Sequence, residues 1–128
     1  MIQEAYVLFE TAKLLKEKGF DENTLMVYMS YGDLCKCNRY DSIRNSNYND
    51  ITKNYFECTA PSHQMAMKWL REVHNIDICV FPYQADYISY SYKVKIYKNK
   101  EIYLTITDSK TYEDAVEEAL KYCLDNLI

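Results

Sequence analysis

The feature that most constrains the fold is a strict alternation of side chains across residues 87–97. Apolar or aromatic residues occupy every second position, and serine or lysine stands between them: Ile88, Tyr90, Tyr92, Val94 and Ile96 against Ser89, Ser91, Lys93 and Lys95. A period of two is typical of a β-strand with one packed face. Residues 76–81 and 101–107 repeat the pattern at short separations. We therefore predict three neighbouring antiparallel strands, with a turn at residues 98–100.

One helix is predicted before these strands in the sequence and another after them. The first has Thr59 or Ser62 as its cap and Pro61 in its first turn, and it runs to about His74. Its predicted buried stripe contains Ala66, Trp69, Leu70 and Val73. The last helix is expected to begin at Thr111, with Asp114 placed to close back on that cap. We expect both helices to pack on the apolar face of the sheet.

The N-terminal half has weaker periodicity. Helical spacing of apolar residues predicts a helix over residues 2–18, ended by Gly19 with Phe20 folding back. Residues 25–30 and 34–38 are predicted to form a β-hairpin, residues 39–54 a loop, and residues 55–58 a short edge strand. The predicted fold class is α+β over one domain, residues 1–128. An N-terminal helix and β-hairpin are followed by helix, three antiparallel strands and helix, with the helices on one sheet face.

Composition narrows the function classes. Only two glycines occur, which argues against a glycine-rich phosphate loop, whereas 14 tyrosines indicate broad half-polar surfaces. The net charge is −4 and neither half has a basic excess, so nucleic acid is not the expected partner. Five cysteines without a secretory signal indicate free thiols in a reducing compartment. With no long apolar run, we expect a cytoplasmic protein that does not enter a membrane.

Three blocks of sequence carry a family resemblance. They are FETAKLLKEKGFD at residues 9–21, APS at 60–62 followed by KWLREVH at 68–74, and YEDA at 112–115 followed by EALK at 118–121. Together they resemble a group of small uncharacterised proteins of Bacteroides-type gut bacteria and their phages and mobile elements. The resemblance implies a cytosolic accessory protein, and it brings no active-site residues. Residues 25–55 fall outside these blocks and are the expected source of individual specificity.

Candidate sites for chemistry are weak throughout. Cys35, Cys37, Cys58 and His63 could be read as a zinc site, but a Cys-x-Cys pair is not the usual knuckle. Ser62 beside His63 is better explained as a helix cap than as a nucleophile, and His74 suits the negative end of a helix dipole. We therefore assign no catalytic, cofactor-binding or metal-binding residue.

The sheet face away from the helices is the predicted interaction surface. Alternation places Phe81, Tyr97 and Tyr103 there with Lys93 and Lys95, and it places Ile102 inside. Such aromatic residues require a cover, which could be the N-terminal hairpin, a second copy or a partner protein. The sequence therefore favours a small non-enzymatic binding or adaptor protein, as a phage or mobile-element factor acting on a host protein. A small-ligand-binding or sequestering protein is one alternative.

A nucleic-acid-binding module is the other alternative. The order helix, three strands, helix is that of double-stranded-RNA-binding domains. Lys93, Lys95, Lys98 and Lys100 could also form a basic strip on the hairpin. Those domains, however, carry basic residues at the start of the final helix, where this chain has Glu113 and Asp114. Carboxylates at that point would repel phosphates, so the shared order predicts architecture rather than function.

Overall fold

In the residues that the structure describes, the strands form two three-stranded antiparallel sheets, with strand orders β2-β1-β3 and β4-β5-β6. A computed structural model describes residues 1–36, 47, 56–84, 86–87 and 89–128. Within them the elements are α1 (Phe9–Glu17), β1 (Met26–Met29), β2 (Leu34–Lys36), β3 (Phe56–Thr59), α2 (His63–His74), β4 (Ile76–Gln84), β5 (Tyr90–Lys98), β6 (Glu101–Ser109) and α3 (Tyr112–Asn126). This arrangement confirms the predicted α+β fold class. The predicted loop at residues 39–54 lies outside the described residues, apart from Asn47.

Two compact units divide the chain, Met1–Ser62 and His63–Ile128. The first unit contains α1 and the sheet of β1, β2 and β3, and the second contains the other sheet with α2 and α3. The prediction of a single domain stays a prediction. Of the helices in the described residues, none combines the length and the apolar character needed to cross a membrane.

The first helix begins seven residues later than predicted, at Phe9 instead of Ile2. The backbone N–H of Val7 donates to the Pro61 carbonyl at 3.1 Å, and the Tyr28 hydroxyl donates to the Val7 carbonyl at 2.7 Å. These partners from distant parts of the unit hold the segment before α1 in an extended conformation. Apolar spacing alone therefore overestimated the helix, because it does not register tertiary hydrogen bonds.

The end of α1 agrees with the prediction. Gly19 has a φ of 97°, in the left-handed region that glycine adopts most readily. The Phe20 N–H donates to the Leu15 carbonyl at 2.9 Å, and the Gly19 N–H donates to the Lys16 carbonyl at 3.2 Å. This pair of bonds is a Schellman motif. Phe20 and Leu15 are both fully buried, which adds the apolar contact that commonly accompanies the motif.

The small sheet of the first unit has β1 at its centre. β1 pairs antiparallel with β2, as predicted, although residues 37 and 38 of the predicted second strand lie outside the described residues. β3 pairs with the other side of β1 and is an edge strand, as predicted. Asn47 is buried and joins two parts of the unit: its Nδ2 donates to the Phe20 carbonyl and its Oδ1 accepts from the Thr59 N–H, both at 2.8 Å.

The second unit packs α2 and α3 on one face of the β4-β5-β6 sheet, as predicted. Fully buried aliphatic residues from both layers form its core: Leu70, Ile76, Val94, Ile96, Val116, Leu120 and Leu124. Burial of one such side chain contributes about 1.5–3 kcal/mol to the free energy of folding, so this layer is the main source of the unit's stability.

The predicted start and buried stripe of α2 need correction, whereas the predicted end of α2 and cap of α3 are confirmed. α2 begins at His63, so Pro61 precedes the helix, and Val73 is 57% exposed rather than buried. α2 ends at His74, as predicted. α3 begins at Tyr112, and the Asp114 N–H donates to the Thr111 Oγ1 at 3.0 Å, which confirms Thr111 as the cap.

A tight turn joins β5 to β6. Asn99 and Lys100 have φ values of 53° and 70°, and Lys98 pairs with Glu101. Two successive residues with positive φ are typical of a type I′ hairpin turn. Asn75, directly after α2, also has a positive φ of 56°; its carbonyl accepts from the Asn99 N–H at 3.0 Å. The turn is therefore held against the end of α2.

A β-bulge in β6 changes which side chains face outward. The register shifts between Ile96 and Tyr97, so that Ile96 faces Leu104 while Tyr97 faces Ile102. Ile102 is consequently outward and 64% exposed, so the prediction that it faces inward is wrong. The unpaired Tyr103 instead places its ring 6.4 Å from that of Tyr122 in α3, on the helix side of the sheet. One extra residue in a strand is sufficient to reverse the alternation.

Candidate functional site

The candidate site is the face of the β4-β5-β6 sheet opposite the two helices, which we call the outer face. Cross-strand pairs place matching side chains on it: Asp77 with Tyr97, Cys79 with Lys95, Phe81 with Lys93, Tyr83 with Ser91, and Tyr97 also with Ile102. Four of the five predicted surface residues, namely Phe81, Lys93, Lys95 and Tyr97, therefore share one face. The fifth, Tyr103, leaves it through the bulge.

Two lysines on the outer face lie against aromatic rings of the neighbouring strand. The Lys93 Nζ is 3.5 Å from the centroid of the Tyr83 ring, and the Lys95 Nζ is 5.6 Å from that of Phe81. Both distances are within the reach of cation–π attraction, which is worth about 0.5–1 kcal/mol at an exposed site. The lysine stems also cover part of the rings, which explains why Phe81 is half-buried without a helix above it.

The predicted basic strip is not continuous. Lys98 has its Nζ 3.0 Å from the Leu127 carbonyl, at the end of α3 and thus on the helix side. Lys100 lies 3.4 Å from an Asp77 oxygen and is partly neutralised by it. Only Lys93 and Lys95, of the four lysines considered, lie on the outer face without a carboxylate partner among the described ion pairs. The local charge is therefore concentrated at these two positions.

The free end of the β4–β5 hairpin carries three exposed tyrosines. Tyr83 is 40% exposed, Tyr87 98% and Tyr90 71%. The connection is shaped by Asp86, whose Oδ1 accepts from the Ser89 N–H at 2.7 Å, as in an Asx turn. Sequence alternation assigned Tyr90 to the packed side, but the helices do not bury it. Tyr83 therefore carries the outer face to the aromatic hairpin end, whereas Tyr90, which pairs with Gln84, lies on the opposite side of the sheet.

A buried polar pair in the second unit was not anticipated from the sequence. The His63 Nε2 lies 3.0 Å from a Glu117 oxygen, and the two residues are 5% and 8% exposed. The His63 Nδ1 is buried and has no hydrogen-bond partner. A general base must reach the proton that it abstracts, and this imidazole is shielded from solvent on both nitrogens. We therefore assign the pair to the structure of the unit, joining the start of α2 to α3.

The cysteines that suggested zinc do not converge. Cys35 pairs with Val27 and Cys58 with Tyr28, so the two thiols belong to opposite faces of the same small sheet. Cys37 lies outside the described residues, and His63 is engaged by Glu117. In the described part of the chain, no three His, Cys, Asp or Glu side chains gather closely enough to hold a metal ion.

Two of the thiols, those of Cys58 and Cys123, are buried, and their surroundings make them unreactive. Desolvation by burial, assisted by the Glu57 carboxylate, raises the pKa of Cys58 to about 11. Burial alone raises the pKa of Cys123 to about 12. A thiol with such a pKa is a poor nucleophile at neutral pH, because the thiolate is the reactive form. Both residues therefore act as small apolar core groups.

His74 and one shallow cavity complete the candidates. Burial, followed by the nearby Lys98 charge, lowers the pKa of His74, whose ring stands edge-on to Trp69 at 4.7 Å. A positively charged His74 serving the helix dipole, as the sequence suggested, is thus disfavoured.

In the first unit, a cavity of about 450 Å³ is lined by Lys13, Lys16, Glu17 and Glu57. Its mixed charges and lack of aromatic lining do not resemble a small-ligand pocket.

In comparisons with known proteins, no protein-family model, curated protein or solved structure matches the chain. The site is therefore defined by its own geometry. Of its residues, sequence reasoning missed Ile102, Tyr83 and Tyr87. The exposure of Tyr83 and Tyr87 could have been suspected from their position at a hairpin end. The outward turn of Ile102 had no sequence signal, because a bulge leaves the residue pattern unchanged.

Proposed function

We propose that this protein is a non-enzymatic binding module that holds a partner protein against the outer face. One observation carries the proposal. Both helices of the second unit pack on the same side of its sheet, while the opposite side presents Phe81, Tyr97 and the 64% exposed Ile102. Contiguous exposed apolar and aromatic groups usually mark an interaction site. Tyrosine and phenylalanine are also enriched in protein interfaces.

The hairpin end extends this proposed interface. Tyr83 and Tyr87 are 40% and 98% exposed, and tyrosine offers a large amphipathic contact area with only two rotatable side-chain bonds. Ordering such side chains on binding therefore costs little conformational entropy. A partner that contacts both the outer face and the hairpin end would bury a surface running along the full length of β4 and β5.

The family resemblance supports an accessory role. Under this proposal, the protein acts for a phage or mobile element on a protein of its bacterial host. The double-stranded-RNA-binding alternative is supported by the order α2, β4, β5, β6, α3. It is opposed by exposed Glu113 and Asp114 in the first turn of α3. We therefore place a protein partner first.

Comparative capture tests the proposal. The tagged full chain is used to retain proteins from a lysate of a Bacteroides-group bacterium, with quantification by mass spectrometry. Ile102→Asn is the test variant and Val73→Asn is the matched control. Both residues are β-branched and similarly exposed, at 64% and 57%, but Val73 lies on α2. We expect wild type and Val73→Asn to retain the same specific proteins, and Ile102→Asn to lose them.

Two results would reject the interface. Retention of the same proteins by Ile102→Asn would show that the outer face is not used. Retention of nothing beyond an untagged control would argue against protein binding altogether. Light scattering of the purified chain distinguishes self-association from binding of a foreign partner. If the partner is a second copy, the wild-type chain would have the mass of a dimer and Ile102→Asn the mass of a monomer.

A further inference from the structure

The outer face has a charge opposite to that of the whole chain. The chain carries a net charge of −4, yet the outward-facing residues of β4 and β5 include Lys93 and Lys95 against a single acid, Asp77. That acid lies 3.4 Å from Lys100, so it does not neutralise the two lysines. A protein partner that docks here meets a positive centre within an aromatic surface. We infer that the partner presents an acidic, extended segment to this face, an inference that rests on the proposed function.

The spacing of the lysines specifies the pattern of acids. Lys93 and Lys95 are two residues apart on one strand, so their Cα atoms are separated by about 6.6–6.8 Å at the usual rise of a strand. An extended peptide repeats its side chains on one side at the same interval. Carboxylates at alternate positions of such a segment would match the two ammonium groups one to one. A helical or clustered arrangement of acids would not.

The aromatic rings position the lysines for this role. With its ammonium 3.5 Å from the Tyr83 ring centroid, Lys93 has one orientation favoured by cation–π attraction. Lys95 is oriented more loosely by Phe81 at 5.6 Å. An oriented side chain loses less entropy when it binds a carboxylate. The exposed Ile102 then supplies apolar contact next to the charged centre.

The same geometry disfavours single-stranded nucleic acid. Sequence-independent binding of bases relies on open aromatic faces on which they stack. Here the ring of Tyr83 is covered by the Lys93 ammonium, and a base would have to displace it. A carboxylate instead approaches the ammonium from the solvent side and leaves the ring contact in place. The covered Tyr83 ring, and not the charge itself, thus favours an acidic peptide over an oligonucleotide at this position.

Fluorescence anisotropy with defined probes tests the inference. The probes are a labelled nonapeptide of alternating Glu and Thr, a peptide of the same composition with its Glu residues in one block, and a labelled 15-mer of thymidylate. We expect the full chain to bind the alternating peptide most tightly, and more weakly as salt is raised. Lys93→Gln/Lys95→Gln should weaken this binding about tenfold, since two partly exposed charge contacts are lost. Lys93→Arg/Lys95→Arg should preserve it.

The matched control removes the same charge elsewhere. Lys110→Gln/Lys121→Gln alters two exposed lysines outside the outer face, and it should leave peptide binding within about twofold of wild type because only the screened long-range field changes. Equal effects of the two double variants would overturn the inference. So would equal affinity for the two peptides, tighter binding of the oligonucleotide, or a flat titration with every probe.

The lysine variants also separate this inference from the proposed function. Suppose that Ile102→Asn loses the captured proteins but Lys93→Gln/Lys95→Gln retains them as well as wild type does. The outer face then binds a protein, and the inference that this protein presents an acidic segment is wrong. If capture is insensitive to both variants, the proposed function fails as well. Circular dichroism of each variant shows whether the fold is intact, and the arginine pair gives a folded comparison that keeps the charge.

Discussion

Replacement of Glu117 by alanine provides the most direct test of the second unit's packing. The Glu117 carboxylate lies 3.0 Å from the His63 Nε2, and both residues are almost completely buried. His63 Nδ1 already lacks a partner. The alanine variant would therefore leave both nitrogens of a buried imidazole without a hydrogen bond. A polar group in that condition cannot recover its hydration, so the folded state is raised in free energy.

The expected cost is about 3 kcal/mol. An orphaned buried polar group costs about 1–3 kcal/mol, and the one methylene that glutamate loses, Cγ, adds about 0.8 kcal/mol. With a urea m-value of about 1.5 kcal/mol/M, the unfolding midpoint would fall by about 2 M.

Trp69 provides the assay. It is the one tryptophan of the chain and is 6% exposed. It lies in α2, the helix that begins at His63. Its fluorescence during urea unfolding therefore reports on the second unit. Glu117→Gln serves as the control, because the amide oxygen can still accept from Nε2, and it should cost about 1 kcal/mol or less.

A double-mutant cycle makes the reasoning refutable. Glu117→Leu leaves the buried His63 Nε2 without its partner, and His63→Leu removes the imidazole contact of the Glu117 carboxylate, whereas the double variant removes both polar groups. The double variant should therefore lose at least about 1 kcal/mol less than the sum of the single losses. An alanine variant within about 0.5 kcal/mol of wild type would contradict the account, since that is the range of an ordinary surface substitution. Strict additivity in the cycle would contradict it equally.

Three further predictions concern the backbone and the thiols. Lys100→Gly should be about 1 kcal/mol more stable than Lys100→Ala in urea unfolding, because both lose the ion pair with Asp77 but only glycine relieves the φ of 70°. Gly19→Ala should lower stability by about 1 kcal/mol, measured by far-UV circular dichroism, because its φ of 97° is strained for alanine; an unchanged midpoint would exclude this strain. Burial raises the pKa of Cys123 from 9.0 to about 12, so the folded state keeps a proton that the unfolded state loses, and stability should fall as pH rises above 9.0. Cys123→Ala should show a shallower alkaline loss, by up to about 1.4 kcal/mol per pH unit, and equal slopes would contradict the shift.

Local patterns determined most of the elements. Strict alternation identified β5, and the short turn at residues 98–100 identified its antiparallel pairing with β6. Gly19 and Thr111 marked helix ends correctly because a left-handed φ and a side-chain cap are both local requirements. Such signals need only a few neighbouring residues, so they can be read without knowledge of the rest of the fold.

Tertiary contacts decided what local patterns could not. The segment before Phe9 has helical spacing, yet hydrogen bonds to Pro61 and Tyr28 hold it extended. His63 looked like a residue near a helix cap, but its partner, Glu117, is 54 residues away. Neither outcome has a local signature, because each depends on groups brought together only when the chain folds.

The outer face shows both contributions together. Alternation alone placed Phe81, Lys93, Lys95 and Tyr97 on one side of the sheet, and the register of β4 with β5 agrees. One bulge in β6 then exchanged the roles of Ile102 and Tyr103, turning the aliphatic side chain outward and the phenol toward α3. The amino-acid pattern thus determined which strands carry the face. The register of β6 with β5 decided which side chains of β6 lie on that face, because the extra residue of a bulge shifts the alternation and is fixed only when the strands pair.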